Sequence, residues 1–253
     1  MAEFPRHWEI PTFDEVFAEP RHQDHVVLVP VLNEGERIRR QVERMAAARI
    51  PADVVIVDGG STDGGTDPTF LRSHGVSALL RKTGAGALSA QLRIGMAWAL
   101  VRGYAGVVTV DGNGKDDVRA ISSFVEKLVA GYDFVQGSRY VRGGRAIRTP
   151  WDRALAVRVI HAPLVSLAAR YWFTDTTNGF RAYSRRLLES DTVRPFRAEF
   201  DRYALHFYLA IRAARGGFRV AEIPVTREYP ATGSVPTKIH GLRSRLALLQ
   251  ETL

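Results

Sequence analysis

Short runs of β-branched and aliphatic residues recur through the first half of the chain, each followed by a stretch of helical periodicity. Residues 25–31, 54–57, 76–80, 107–110 and 134–136 are near-continuous apolar runs of strand length. Between them, residues 36–48, the stretch from Gly86 through Leu100, and about 117–130 read as helices that can lay an apolar face on the strands. Strands alternating with helices in this way predict an α/β domain with a mostly parallel, Rossmann-like sheet flanked by helices. Residues 1–24 come before this pattern and read as an extension outside the sheet. Within them, Thr12-Phe13-Asp14-Glu15 has capping-box spacing and predicts a short helix.

The rhythm loosens after Gln136. Residues 137–145 form a glycine-arginine loop, and 151–173 an apolar-basic helix interrupted by Pro163. Residues 174–181 make a polar turn, about 199–215 a helix, and 218–223 a strand. A Pro-, Gly-, Ser- and Thr-rich loop over 229–238 then leads to a basic terminal helix. One domain over 25–253 is expected, with a nucleotide-binding half over 25–137 and an acceptor half over 138–253.

Two of the first four strands end in Asp-Gly, at Asp58-Gly59 and Asp111-Gly112. Both acids should reach the carboxyl edge of the sheet, where open α/β sheets bind ligands. Hard cations such as Mg²⁺ want oxygen donors of this kind and are usually shared with a substrate phosphate. The plainer alternative is a strand-end Asp that caps the next helix.

Composition narrows the partners. The 253 residues carry a net charge of +8, which favours nucleotide phosphates, lipid phosphates or an acidic membrane face. Nucleic acid is not expected, because no aromatic platform or recognition motif accompanies the charge. Cysteine is absent, so there is no disulfide framework, thiolate metal site or cysteine nucleophile. The seven histidines show no zinc-like spacing, and His161 reads as a satisfied core histidine. The first residues do not form a signal peptide, and no window approaches the ~18–20 apolar residues of a membrane span. The segment 151–173, with Arg153, Arg158 and Arg170, is expected to pack on the sheet, with a membrane face as the alternative. The expected location is cytoplasmic, with peripheral attachment to the cytoplasmic membrane face as a variant.

The motifs also follow a recognisable order. Pro30-x-x-Asn33-Glu34 is followed by Asp58 with Ser61-Thr62-Asp63-Gly64, Asp111-x-Asn113, and Gly137-Ser138-Arg139-Tyr140-Val141. Asn178-Gly179-Phe180-Arg181 and Glu222-Ile223-Pro224-Val225 complete the set. Over about residues 25–245 this resembles the inverting family 2 glycosyltransferases of the GT-A fold, especially the dolichyl- or polyprenyl-phosphate mannosyltransferase branch. The resemblance implies transfer of a sugar from a GDP- or UDP-sugar donor to polyprenyl phosphate. Transfer to a hydroxyl of a glycan or small molecule is the alternative.

By the same resemblance, Pro30, Asn33 and Glu34 would lie against the nucleoside and Asp58 would bind base or ribose. Asp111 and Asn113 would hold Mg²⁺ or Mn²⁺ on the diphosphate, and Asp111 would count among the catalytic residues. Arg139 and Arg153 would sit near the phosphates, Arg153 counting with Asp111 among the catalytic residues, and Lys238 would close over them. Arg81, Gly112, Lys115 and Arg227 complete the implied donor set. At least two of Arg139, Arg142, Arg145, Arg148 and Arg153 are expected to touch phosphate, since arginine's planar fork pairs two oxygens at once.

The chain departs from the family at three points. Asn113 stands where a second carboxylate is usual, and Lys115 where glutamine is frequent. Pro230 stands where the family carries a loop arginine, so Arg227 or Lys238 would substitute. Asp116 or Asp117 could compensate for Asn113, although helix capping is their more usual work. A lipid phosphate acceptor is already largely anionic and needs no base. A hydroxyl acceptor needs one, and Asp175 is the candidate, followed by Asp201.

Two rivals from other classes remain. Gly84-x-Gly86-x-x-Ser89 approaches a dinucleotide fingerprint and suggests an NAD-binding oxidoreductase. The altered Asn113 and Lys115 suggest a catalytically inactive nucleotide-sugar binder.

Overall fold

At its amino end the chain departs from expectation. In the computed structural model, which describes residues 3–230, residues 13–18 form a strand, β1 (Phe13–Ala18). This strand joins the edge of the main sheet, so residues 1–24 are not wholly outside it. The Glu15 carboxylate, which a capping box would spend on its own helix, instead accepts from Trp98 Nε1 at 2.6 Å and Arg102 Nη2 at 3.0 Å. Tertiary partners override the local signal.

The elements then alternate as expected through β2 (His25–Val31), α1 (Glu36–Ala48), β3 (Asp53–Asp58), α2 (Pro68–Ser73), β4 (Val76–Lys82), α3 (Leu88–Val101) and β5 (Gly106–Thr109). The second half adds α4 (Ile121–Val129), β6 (Phe134–Ser138), β7 (Arg145–Ile147), α5 (Trp151–Ala156), α6 (Ala162–Ala169) and β8 (Arg181–Ser184). It ends with α7 (Arg185–Leu188), α8 (Leu205–Arg215), β9 (Val220–Pro224) and β10 (Thr226–Glu228). The terminal helix expected beyond residue 238 lies outside the described residues.

The main sheet runs β1-β4-β3-β2-β5-β8-β6-β9. β4, β3, β2 and β5 are parallel, as are β6 and β9. β8 runs antiparallel between β5 and β6. Side-chain alternation explains the unbroken apolar runs. Val26 and Leu28 of β2 enter one core with α3, α6 and α8, whereas Val27 and Val29 enter the other with α1, α2 and α4. Both faces are covered, so both must be apolar.

Between α5 and α6, residues 157–161 form a π turn. Pro163 follows within the first turn of α6; it lacks an N–H and would crowd the carbonyl four residues earlier, and the wider turn accommodates it. β7 and β10 form a separate two-stranded parallel ribbon beside the main sheet.

Candidate active site

Asp111 lies two residues beyond the end of the short strand β5, and its position is fixed from both sides. Gln41, wholly buried on α1, donates to the Asp111 carbonyl at 3.0 Å and accepts from Gly114 N–H at 2.8 Å. On the other side, a Cβ added at Gly179 would lie 2.6 Å from Asp111 Oδ1, so only glycine lets the carboxylate rest there. Gly112 is equally constrained, since a Cβ would meet Val31 Cγ2 at 2.8 Å and the Pro30 carbonyl at 3.0 Å.

The carboxylate faces a guanidinium. Arg227 Nη2 donates to Asp111 Oδ2 at 2.9 Å, while Nη1 donates to Asp116 Oδ2 and to Asn178 Oδ1 at 3.4 Å. Arg227 is held there by its backbone: Asp117 N–H bonds to Thr226 O at 3.0 Å and Glu228 N–H to Lys115 O at 2.9 Å. Burial pushes the Asp111 carboxyl up, but Arg227, then His206 and Lys115, outweigh it and hold it below the ordinary range. Asp116 is pushed by burial to about 6; Arg227 opposes the rise and Asp111 adds to it.

A divalent ion at Asp111 would need several converging oxygens. Asp111 Oδ2 is engaged by Arg227, and Asn113 presents its Nδ2 to that same oxygen at 3.3 Å. Asn113 Oδ1 is turned away, accepting from Lys115 N–H at 3.2 Å. Among the described residues no three Asp, Glu, His or Cys side chains converge. In this arrangement the residues do not fit a divalent ion.

A second buried network joins Arg139, Asp175 and Glu222. Arg139 forks onto Asp175, with Nε to Oδ2 at 2.6 Å and Nη2 to Oδ1 at 2.9 Å, and also reaches Thr177 Oγ1 at 2.9 Å. Burial raises the Asp175 carboxyl, but the bonds and charge of Arg139 bring it below its usual value. Glu222 of β9 accepts from Thr174 N–H at 3.0 Å and Asp175 N–H at 3.3 Å, fixing the turn that carries Asp175. Burial raises the Glu222 carboxyl against these bonds. His161 meets Thr176 Oγ1 at 2.7 Å, the satisfied role expected of it.

The remaining expected residues are placed as follows. Asn33, at φ 50°, accepts from Thr62 N–H at 2.9 Å, and Glu34 pairs with Arg37 at 2.7 Å; both lie beside the end of β2, which carries Pro30. Asp58 is wholly buried and binds Gly60 N–H, Ser61 N–H and Thr66 Oγ1 at 2.8–3.2 Å, ordering its own loop. Arg81 reaches Asp58 only at 3.5 Å and is otherwise open. Lys115 is buried with Nζ 4.7 Å from the Tyr229 ring centre. Asp117 caps the single 3₁₀ turn 118–120, as its plainer reading held. Arg153 belongs to α5 and Lys238 lies outside the described residues.

The glycines over 84–86 do not cradle a phosphate. Ala87 N–H and Ser89 N–H are taken by the carbonyls of Asp201 and Arg202 at 2.6 and 2.8 Å, which removes the donors a dinucleotide would use. Gln41 and Arg227 are the residues whose weight the sequence understates. A polar Gln41 among Ile38, Val42 and Met45 on the buried face of α1 is the signal that could have found the first.

A sequence profile of glycosyl transferase family 2 matches residues 26–191. A polyprenol monophosphomannose synthase of Mycolicibacterium smegmatis is 30% identical over 207 residues, 81% of this chain and 77% of that protein. An undecaprenyl-phosphate mannosyltransferase of Micrococcus luteus is 31% identical over 208 residues, 79% of this chain and 82% of the relative. Glucosyl-3-phosphoglycerate synthase of Mycobacterium tuberculosis superposes with a TM-score of 0.63 at 18% identity, covering 94% of this chain and 88% of that one. The same enzyme was solved with Mn²⁺, UDP and phosphoglyceric acid, and in that form its TM-score is 0.60 at 17% identity, covering 90% and 75%. At such identity the likeness is one of fold.

Proposed function

Because the chain belongs to glycosyl transferase family 2 and has the GT-A fold, we propose that it moves a sugar from a nucleoside-diphosphate sugar to polyprenyl phosphate. The observation that carries the acceptor assignment is Asp175, the leading candidate base. It is wholly buried, and both oxygens are spent on Arg139, so it has no lone pair poised for a hydroxyl proton. An acceptor that arrives ionised needs none, and a phosphate monoester is such an acceptor.

In this reading a phosphate oxygen attacks the anomeric carbon from the face opposite the leaving group. The bond to the nucleoside diphosphate breaks, the anomeric centre inverts, and no proton changes hands. Charge gathers on the departing diphosphate, beside Asp111, Arg227 and Lys115, and cations there lower the barrier. Arg153 of α5 and Lys238 are assigned to the same diphosphate.

The membrane supplies the acceptor, and the chain offers a face for it. Trp151, Leu155, Val159, Leu167 and Trp172 are 54–79% exposed, with Arg158 and Arg170 also exposed beside them. Amphipathic helices of this kind lie in the lipid interface. No helix among the described residues is long and apolar enough to cross a membrane.

The test is transfer from radiolabelled GDP- and UDP-sugars to polyprenyl phosphate or to hydroxyl acceptors. Label is expected in the lipid fraction with one donor, and Asp111→Asn should reduce it at least ~100-fold while the variant stays folded by circular dichroism. Label found only in hydroxyl acceptors would overturn the assignment.

A further inference from the structure

We infer that Arg227 is the resident cation of this site, balancing Asp111 and Asp116 so that a nucleoside diphosphate binds without a divalent ion. The inference rests on the donor reading above and concerns the same edge of the sheet. Its first support is geometry. One guanidinium bridges two carboxylates from the loop after β5, with Asn178 as a third partner. Arg227 is only 7% exposed, and the backbone of its own strand is hydrogen-bonded to residues 115–117, so the guanidinium is not a surface group resting there by chance.

The second support is charge. A bare strand edge with two carboxylates repels a diphosphate until a cation is added. Here Arg227 bridges both acids, and Lys115, 6% exposed, lies one residue before Asp116 in the same loop. Two carboxylates therefore share one bonded cation, Arg227, and lie in the field of a second, Lys115. The third support is what an added ion would encounter. On Asp111 Oδ2 it would have to displace Arg227 and would meet the amide nitrogen of Asn113 rather than an oxygen. Asp116 Oδ1 is buried without a hydrogen-bond partner among the described residues, and Oδ2 is held by Arg227. Displacing Arg227 from this pair would expose Asp116 as a buried charge with little else to satisfy it.

Lysine in place of Arg227 would supply the charge but not the fork, since an ammonium is a point donor and cannot hold two carboxylates in one plane. This separates charge from geometry in the test. Calorimetric titration of GDP and of UDP into the full-length protein is done first in EDTA and then in excess Mn²⁺. The preferred nucleotide is expected to bind in both, with dissociation constants within about tenfold. Arg227→Met is expected to lose about 100-fold in EDTA and to regain most of it with Mn²⁺, with Arg227→Lys between the two. Wild-type binding seen only with Mn²⁺ overturns the inference and leaves the donor reading standing. Binding of neither nucleotide in either condition overturns the donor reading itself. The wild-type comparison decides alone where Arg227→Met does not fold.

Discussion

A buried arginine and a buried aspartate are costly to bring out of water singly and tolerable together. Arg139 and Asp175 illustrate the consequence. They were expected at the phosphates and at a catalytic proton, yet each spends itself on the other, with exposures of 6% and 0%. Arg139→Ala would leave the carboxylate uncompensated, so it is expected to cost about 3–5 kcal/mol in urea unfolding, far more than loss of a surface contact. The same contrast shows what single residues reveal in sequence. Asp111 was legible because a strand ending in Asp-Gly is a local pattern. Arg227 lies 116 positions further on, and its grip on Asp111 is made only by the fold. Asp58 was legible as a strand-end acid, but nothing local says that its oxygens face inward to its own loop.

At the scale of elements, legibility followed length. β2 and β3, buried on both faces, announce themselves as apolar runs, and the helices between them as periodic ones. β8 has four residues and begins with a buried arginine, while β7 and β10 have three each; none is long enough to show a period. The π turn over 157–161 was foreshadowed only by Pro163, and it carries a titratable group. Burial, reinforced by the positive charge of Arg181, lowers the His161 imidazole to about 4. The unfolded chain takes up this proton as pH falls through about 6.5, whereas the folded chain resists until about 4. Stability from this group is therefore complete above about 6.5 and is lost on acidification between those values. Against His161→Gln, wild type is expected to lose about 2 kcal/mol more between pH 7 and 4.5, read by denaturant titration at both. Equal losses would show that the ring is already charged in the folded protein.

At the scale of the molecule, the α5–α6 segment answers two expectations at once. Val157, Ala162, Val165 and Ala169 pack inward, as expected of a helix on the sheet, while Trp151, Leu155 and Leu167 remain exposed. If that outer face meets lipid, Leu155→Glu with Leu167→Glu should reduce sedimentation with anionic vesicles at least about tenfold, with melting unchanged; each buried apolar chain contributes about 1.5–3 kcal/mol. Wild-type binding should weaken as salt is raised, because its arginines act through a screened field. The central antiparallel strand also bears on how the chain could be divided. β5 and β6 are not paired with each other; both hydrogen-bond to β8, which comes from residues 181–184. A chain severed after Gly137 would leave two strands of the amino-terminal piece waiting for one belonging to the other. Residues 25–137 are thus a unit of sequence but not of folding, and two such fragments, each with a raw sheet edge, would be made soluble chiefly by finding one another.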